Sequence, residues 1–203
     1  MKNYTPSLEP DNYYHIYNHA VGQDNLFNNE ENYHFFLEKY ANYVNPVADT
    51  FAYCLLPNHF HFLVRIKEEK EIEEYFNVKK DLTGFQNLSG LISKQFSNLF
   101  NSYSKSVNKQ QNRRGALFER PFKRRKIDNE KYLRNIIHYI HYNPVHHEFT
   151  KDLKEWKYSS YNSLITQKKT RLKRDEVIEW FDDLENFVFI HSQEADENFD
   201  ILE

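Results

Sequence analysis

The sequence holds little that would support a secreted, disulfide-rich or membrane-spanning protein. A single cysteine, Cys54, among 203 residues excludes a disulfide framework and is typical of the reducing cytoplasm. No apolar run approaches the length of a membrane span, and residues 1–6 contain no apolar signal core. Only four glycines are present, whereas fifteen tyrosines and seventeen phenylalanines are spread along the chain. The composition therefore predicts a soluble, cytoplasmic, globular protein with an aromatic core.

Positive charge is absent from residues 175–203, which carry eleven Asp and Glu but no Lys or Arg. The rest of the chain has 27 basic and 19 acidic residues, a balance of +8 (27 − 19). Nine Lys and Arg lie in residues 105–126 beside a single acid, Glu119. Such a block is typical of a surface that binds a polyanion, although a solvated face has the same composition. Phe118 and Phe122 interrupt the block, and aromatic rings among cations favour unpaired nucleic-acid bases.

Two histidines on one strand form the most informative local pattern. After a Pro-Asn turn, His59 and His61 alternate with phenylalanines in a run that predicts a buried strand. Because successive strand side chains point to opposite faces, both imidazoles share one face, which we expect to point away from the core. Two adjacent imidazoles can form half of a metal site, although this pattern alone is more often structural.

A second polar pair lies on a helix predicted over residues 129–142, with Asp128 as its N-cap and Asn143-Pro144 as its end. Tyr139 and Asn143 are four residues apart and therefore share one face of the helix. A phenol beside a metal ion can attack a phosphodiester, and an amide oxygen can complete the coordination of a cation. A structural role for Tyr139 stays open in so tyrosine-rich a chain, and Tyr142 is a rival nucleophile.

The predicted elements follow the order β, α, β, β, α, β, α. We expect strands at 13–18, 50–56, 59–67 and 117–127, helices at 30–44, 88–103 and 129–142, and a mobile loop at 104–116. Antiparallel strands with helices between them predict a ferredoxin-like α+β sandwich with its helices on one face of the sheet. Beyond residue 165 we expect a C-terminal extension, residues 166–203, with a helix at 174–184, a strand at 187–190 and a disordered acidic tail.

Several motifs, taken in order, resemble those of the REP-associated tyrosine transposases, members of the HUH class of single-strand endonucleases. The resemblance covers about residues 11–165. Its motifs are YHIYNH (14–19), LPNHFHFL (56–63), GALFERPFK (115–123), YIHYNPV (139–145) and WKYSSY (156–161). Five motifs in one order are far more specific than any one of them.

The resemblance implies a single transposase-like domain, residues 1–165, with the histidine strand at the centre of the sheet. It implies that the protein nicks single-stranded DNA beside a hairpin, with Tyr139 forming a 5′-phosphotyrosine link and leaving a free 3′-OH. His59, His61 and Asn143 match the metal ligands, and the cofactor would be Mg²⁺ or Mn²⁺. The family includes monomers and homodimers, and we expect a monomer here.

Hairpin or single-stranded DNA is therefore the expected partner, and no membrane is expected. The DNA-binding residues that we predict from the basic block are Arg113, Arg114, Arg120, Lys123, Arg124, Arg125 and Lys126. Two other functions stay open: a hairpin-binding protein that does not cleave, and a hydrolase in which a metal-bound water attacks the phosphodiester while Tyr139 is structural.

Overall fold

A four-stranded antiparallel sheet forms the centre of the protein. The computed structural model describes residues 6–77 and 88–195. The strands are β1 Tyr13–His19, β2 Ala48–Leu55, β3 His59–Ile66 and β4 Lys123–Ile127. Their spatial order is β2-β3-β1-β4, and every neighbouring pair is antiparallel. This is the order of a ferredoxin-like α+β sandwich with the histidine strand β3 inside the sheet, so the expected fold class is confirmed.

Seven α-helices lie in the described part of the chain. Their bounds are α1 Glu30–Tyr43, α2 Glu69–Phe76, α3 Leu88–Gln110, α4 Glu130–His146, α5 Tyr161–Leu164, α6 Arg174–Trp180 and α7 Leu184–His191. A short 3₁₀ turn, Leu153–Glu155, precedes α5. The first three predicted strands and the first helix agree with the structure to within two residues at each end.

Both faces of the sheet are covered, so the expectation that the helices lie on one face was wrong. On one side, α1 and α3 pack on an aromatic cluster that includes Phe60 and Phe62. On the other side, α4 packs on β2 and β3, and a second cluster buries Leu63 and Phe51 completely. The second face has to be covered because its strands carry apolar side chains as well as histidines. His59 and His61 therefore lie beneath α4, not on an open face.

Helix α3 is longer and strand β4 shorter than predicted. Residues 104–110 were expected to be a loop, but Val107, one turn after Tyr103, is 1% exposed and continues the buried stripe of α3. The chain from 117 to 122 runs beside β1 through a single bridge between Phe118 and Ala20. Pro121 has no N–H to donate, and the regular ladder with β1 begins only at Lys123.

Helix α4 runs through Pro144, which was expected to end it, and stops at His146. Its N-cap is Asn129, whose side chain accepts from the Lys131 N–H, and not Asp128 as expected. Pro144 lies in the last turn and removes one N–H from the helix. The turn still closes, because the His147 N–H donates to the Asn143 carbonyl at 3.0 Å. The extra turn keeps Asn143 inside the helix.

The C-terminal extension contains two helices where a helix and a strand were expected. Helix α6 ends at Trp180, and residues 187–190, expected to be a strand, belong to α7. The Asp183 side chain accepts from the Asn186 N–H and caps α7, while Phe187 and His191, four residues apart, are both buried. The apolar run thus has a helical period. The acidic tail from residue 196 onward lies outside the described residues, and the division at residue 165 stays a prediction.

Burial makes several histidines neutral. Burial, with a smaller contribution from Arg125, lowers the pKa of His15 to about 3, and burial lowers the pKa of His191 to about 3. Burial also lowers the pKa of His61 and His141 well below its usual value. We refer to these four residues as the buried histidine set. His138 and His141, on either side of Tyr139 in the sequence, are both buried against His191 of α7.

Candidate active site

Strand β3 places the two predicted metal ligands side by side under α4. The rings of His59 and His61 are perpendicular, with their centroids 5.1 Å apart, and their residues are 2% and 0% exposed. Both rings lie on one face of the strand, as the alternation predicts. Neighbouring β1 brings His15 and His19 onto the same face, each stacked on one of the two rings.

His61 is held with one ring nitrogen pointing into the site. Its Nδ1 lies 2.9 Å from Nε2 of His15, so when Nδ1 donates this bond, Nε2 carries the lone pair. That Nε2 is buried, and it has no hydrogen-bond partner among residues 6–77 and 88–195. The lowered pKa keeps the ring neutral. A neutral imidazole whose other nitrogen is fixed by a hydrogen bond is the usual form of a metal-binding histidine.

His59 contacts two amide oxygens, one at each ring nitrogen. Nδ1 is 2.8 Å from Oδ1 of Asn58, and Nε2 is 3.0 Å from Oδ1 of Asn143. A neutral imidazole has one N–H, so it can donate to only one of these two oxygens. With Nδ1 donating to Asn58, the lone pairs of His59 and Asn143 face one another, an arrangement that a cation between them would satisfy. An imidazole nitrogen and an amide oxygen are both donor types that bind divalent cations, so the chemistry of this pair fits such an ion.

Helix α4 brings Tyr139 to the same place. The Tyr139 ring is perpendicular to the His61 ring at a centroid distance of 5.5 Å, and Tyr139 itself is half-buried. Asn143, one turn later on the same helical face, is fully buried, and its Nδ2 has no hydrogen-bond partner in the described part of the chain. Tyr142, the rival nucleophile, instead packs edge-on against His138 on the side of α4 that faces the extension.

The sequence left open whether His15 and His19 line the site, with an ordinary polar role preferred, and it predicted no part in the site for Asn58 or His147. His15 orients His61, Asn58 contacts His59, and the ring of His147 lies 4.8 Å from that of His59. His19, which stacks on His59 at 4.7 Å, was expected to be an ordinary polar residue. The signal that could have found His15 and His19 is their alternation on β1, once the pairing of β1 with β3 is known.

The two candidate cations closest to the histidines lie on the edge strand β4. Lys123 pairs with Tyr17 and Arg125 with His15 across the β1–β4 ladder, which puts both on the histidine face. The Arg125 guanidinium stacks at 4.9 Å on the ring of Tyr132, two turns before Tyr139 on α4. The Lys123 ammonium lies 5.8 Å from the Tyr17 ring.

The other predicted DNA-binding residues are distributed differently. Arg124 points to the opposite face of the sheet, where its guanidinium donates to the Pro6 carbonyl and to Ser93. Lys126 forms a 2.9 Å ion pair with Glu9, and Arg113 pairs with Asp24. Exposed positions are occupied by Arg114 and Arg120. Because adjacent strand residues point to opposite faces, only one of Arg124 and Arg125 can meet DNA from a given face of the sheet, and the β1–β4 ladder puts Arg125 on the histidine face.

The candidate ligand set is two imidazoles and one amide. Within the part of the chain that the structure describes, no group of three or more His, Cys, Asp or Glu side chains could hold a metal ion. None of the described helices is long and apolar enough to cross a membrane.

Known proteins support the resemblance. No protein-family model matches the chain. A curated protein of Haemophilus influenzae, which carries the provisional name REP-associated tyrosine transposase, is 29% identical over 114 residues, covering 56% of this chain and 59% of the relative. The match therefore spans less than two thirds of that relative. A solved structure of a REP-associated tyrosine transposase bound to a REP hairpin superposes with a TM-score of 0.60 at 15% identity, over 82% of this chain and 87% of that one. The chain is thus similar in sequence to one protein named as a REP-associated tyrosine transposase and similar in fold to another.

Proposed function

We propose that this protein is a metal-dependent endonuclease and strand transferase that binds DNA hairpins and cleaves single-stranded DNA through a 5′-phosphotyrosine intermediate. Such a reaction serves DNA transposition or the processing of a domesticated repeat element. The supporting observation is the 5.5 Å approach of the Tyr139 ring to His61 beside the His59–Asn143 contact. A protein that only binds hairpins needs neither a phenol nor a ligand set at one place.

The proposed substrate class is supported by a solved structure of similar fold. The relative of known structure is bound to a REP hairpin, and the fold of the present chain matches it over most of both chains. We propose that hairpin DNA is also the partner of this chain. The base of the hairpin stem would lie along β4, where Lys123 and Arg125 can contact DNA phosphates on the histidine face.

Tyr139 supplies the nucleophile. Its Oη attacks the scissile phosphorus, the Oη–P bond forms, the bond from phosphorus to the 3′ oxygen breaks, and the phenol proton is replaced by one on the leaving 3′-OH. One phosphoester replaces another, so a 3′-OH can later reverse the step without a nucleotide cofactor. Tyr139 is half-buried, so part of the residue is accessible from solvent.

His59, His61 and Asn143 would hold Mg²⁺ or Mn²⁺. When bound, the ion would neutralise the charge that grows on the phosphate oxygens. The orphaned lone pair on His61 Nε2 and the two opposed acceptors of His59 and Asn143 fit such an ion. Two imidazoles are softer than the oxygen shell that magnesium prefers, so we expect tighter binding of Mn²⁺.

We propose that the protein acts as a monomer. Tyr139 and the three candidate ligands meet within a single copy, so a monomer can carry out the cleavage. We propose that residues 1–165 carry the chemistry and that the remaining residues form an accessory extension.

The test is a denaturing gel of wild type and Tyr139→Phe, each incubated with Mn²⁺ and labelled single-stranded hairpin oligonucleotides from DNA that flanks the gene. We expect a slow, protease-sensitive protein–DNA band in wild type and none in Tyr139→Phe. Tyr142→Phe is the matched control, because it removes a hydroxyl from the same helix at a position away from His61. This control should form the covalent band at the wild-type level.

The same gel separates the alternatives. Cleavage by both wild type and Tyr139→Phe without a slow band would refute the covalent step and leave hydrolysis by a metal-bound water. No cleavage by either protein, with retention of hairpins on a native gel, would favour a binding protein without catalytic activity.

A separate titration tests the metal site. The alternative to a metal site is a direct hydrogen bond: with the Asn143 side-chain amide rotated by 180°, its Nδ2 would donate to Nε2 of His59 without any ion. If the site holds a metal ion, calorimetry should show one Mn²⁺ bound per wild-type chain. His59→Ala should bind Mn²⁺ at least about tenfold more weakly. Equal binding by both proteins would place the ion elsewhere.

A further inference from the structure

The C-terminal extension is bonded to both elements that carry the proposed site. We infer that residues 166–195 brace the site: His191 holds α4 through His141, and α6 holds β3 through Arg65, so that Tyr139 stays beside His61. The test of this inference by cleavage rate rests on the proposed function, whereas its tests by melting temperature and NMR spectra do not. His141, His191 and Arg65 are thus positioning residues, since each acts on the site through other residues.

The bond between α7 and α4 is part of a chain with a single direction. His191 Nδ1 lies 2.8 Å from the Phe187 carbonyl, which can only accept, so this nitrogen carries the proton. Its Nε2 must then accept from His141 Nδ1 at 2.9 Å, and His141 Nε2 accepts from the Ser160 hydroxyl at 2.7 Å, a shorter contact than the 3.2 Å between that hydroxyl and the Tyr53 carbonyl. Ser160 Oγ in turn accepts from the N–H of Tyr53 on β2 at 2.8 Å. The chain connects α7, α4 and β2 without leaving a member unsatisfied.

His141 is well placed to control the rotation of α4. It lies between Tyr139 and Asn143 in sequence, about 200° around the helix from each of them, so it grips α4 from the side opposite the site. A side-chain tip lies about 6 Å from the helix axis, and a rotation of about 10° moves it by about 1 Å. A displacement of about 1 Å at a reacting group can slow a reaction by about a hundredfold.

The second connection joins α6 to the histidine strand. Arg65, four residues after His61 on the same face of β3, donates to Glu176 of α6 at 3.1 Å and to Asp49 of β2 at 3.1 Å. Lys173 lies 3.3 Å from the same Asp49 carboxylate, and its N–H donates to the Thr50 carbonyl. The extension therefore contacts the strand that carries the ligands as well as the helix that carries the phenol.

The simpler alternative is that the extension only stabilises the fold. Phe181 and Phe187 are fully buried in the cluster beneath α4, so removing the whole extension would expose a large apolar surface. The test therefore uses single substitutions that keep the volume of the side chain and change only its hydrogen bonding.

The experiment compares His191→Leu with His191→Gln in the full chain. Leucine fills the space without an acceptor, whereas the glutamine oxygen can still accept from His141. Glu185→Gln, at an exposed position of α7, is the matched control. Each protein is measured for its melting temperature, hairpin affinity and single-turnover cleavage rate with Mn²⁺. We also record the ¹⁹F spectrum of 3-fluorotyrosine introduced at position 139.

We expect His191→Leu to cleave about ten to a hundred times more slowly when fully folded, with hairpin affinity within about twofold of wild type. Its ¹⁹F signal should shift or broaden. The separate variants His191→Gln and Glu185→Gln should each keep the wild-type cleavage rate and the wild-type ¹⁹F signal. A folded His191→Leu that retains the wild-type rate and the wild-type ¹⁹F signal would overturn the brace. If wild type itself does not cleave, the proposed function fails, and the ¹⁹F comparison alone still decides the inference.

A spectroscopic readout covers the case in which His191→Leu does not fold. Long-range ¹H–¹⁵N correlation of the histidines in wild type should show the proton of both His141 and His191 on Nδ1. A proton on Nε2 of His141 would refute the chain of hydrogen bonds and with it the brace.

Discussion

His15 provides the sharpest test of the site, because the sequence left open whether it lines the site or is an ordinary buried polar residue. We predict that His15→Phe weakens Mn²⁺ binding by about ten- to a hundredfold, the usual effect of removing a residue that orients a metal ligand. The phenyl ring can keep the stacking on Tyr17, whose centroid lies 4.7 Å from that of His15, but it cannot accept from His61 Nδ1 at 2.9 Å. His61 is then free to carry its proton on Nε2, the nitrogen that faces the site.

The same substitution has a second, separable effect on stability. It leaves a buried N–H of His61 without its acceptor, which costs about 1–3 kcal/mol. In a protein of this size each kcal/mol lowers the melting temperature by about 2–4 °C. The loss should be seen in EDTA, where no ion contributes.

The assay is calorimetric Mn²⁺ titration together with the single-turnover cleavage rate as a function of Mn²⁺ concentration. We expect the half-saturating concentration to rise about ten- to a hundredfold while the rate at saturation stays near wild type, because His15 does not touch the substrate. His34→Phe is the matched control, since His34 is an exposed ring on α1. Unchanged half-saturation in a folded His15→Phe would refute the assignment of His15 as the residue that orients His61.

Three further predictions concern stability and DNA binding. The buried histidine set has lowered pKa values in the folded protein, so on acidification these rings bind protons in the unfolded chain first. The free energy of unfolding should therefore be highest above about pH 6.5 and should fall below it, by about 1.4 kcal/mol per ring at pH 5.5. Thermal melts in EDTA from pH 8 to pH 5 measure this, and a constant melting temperature would contradict the burial of neutral rings. Arg125→Gln should weaken hairpin binding and reduce the slope of log affinity against log salt by about 0.7–0.9, whereas Arg124→Gln should leave that slope unchanged. Equal slopes for the two variants would contradict their placement on opposite faces. Ile137→Ala, a truncation of a fully buried side chain of α4, should cost about 2–5 kcal/mol in urea denaturation, and a loss under 1 kcal/mol would contradict the packing of the second cluster.

Much of the fold follows from local patterns. The period of two in residues 59–66 and the spacing of Tyr139 and Asn143 predict a strand and a helical face from backbone geometry alone. The patterns fail where a distant contact decides. Residues 187–190 are apolar enough for a strand, but Phe187 stacks on the distant Tyr161, and this packing together with the local Asp183 cap favours a helix. Helix α4 passes Pro144 because the proline falls in a final turn that the rest of the chain supports.

The sequence by itself determined that His59 and His61 share one face, that Tyr139 and Asn143 share another, and that the chain resembles a known family. These properties depend on residues a few positions apart, whose relation is set by the repeat of the strand or helix. Only the tertiary structure decided that α4 covers the histidines, that His15 orients His61, and that Arg125 and not Arg124 lies on the histidine face. Each of these depends on which strands pair and which helix lies over them. Such pairings are contacts between distant segments, which no local period encodes.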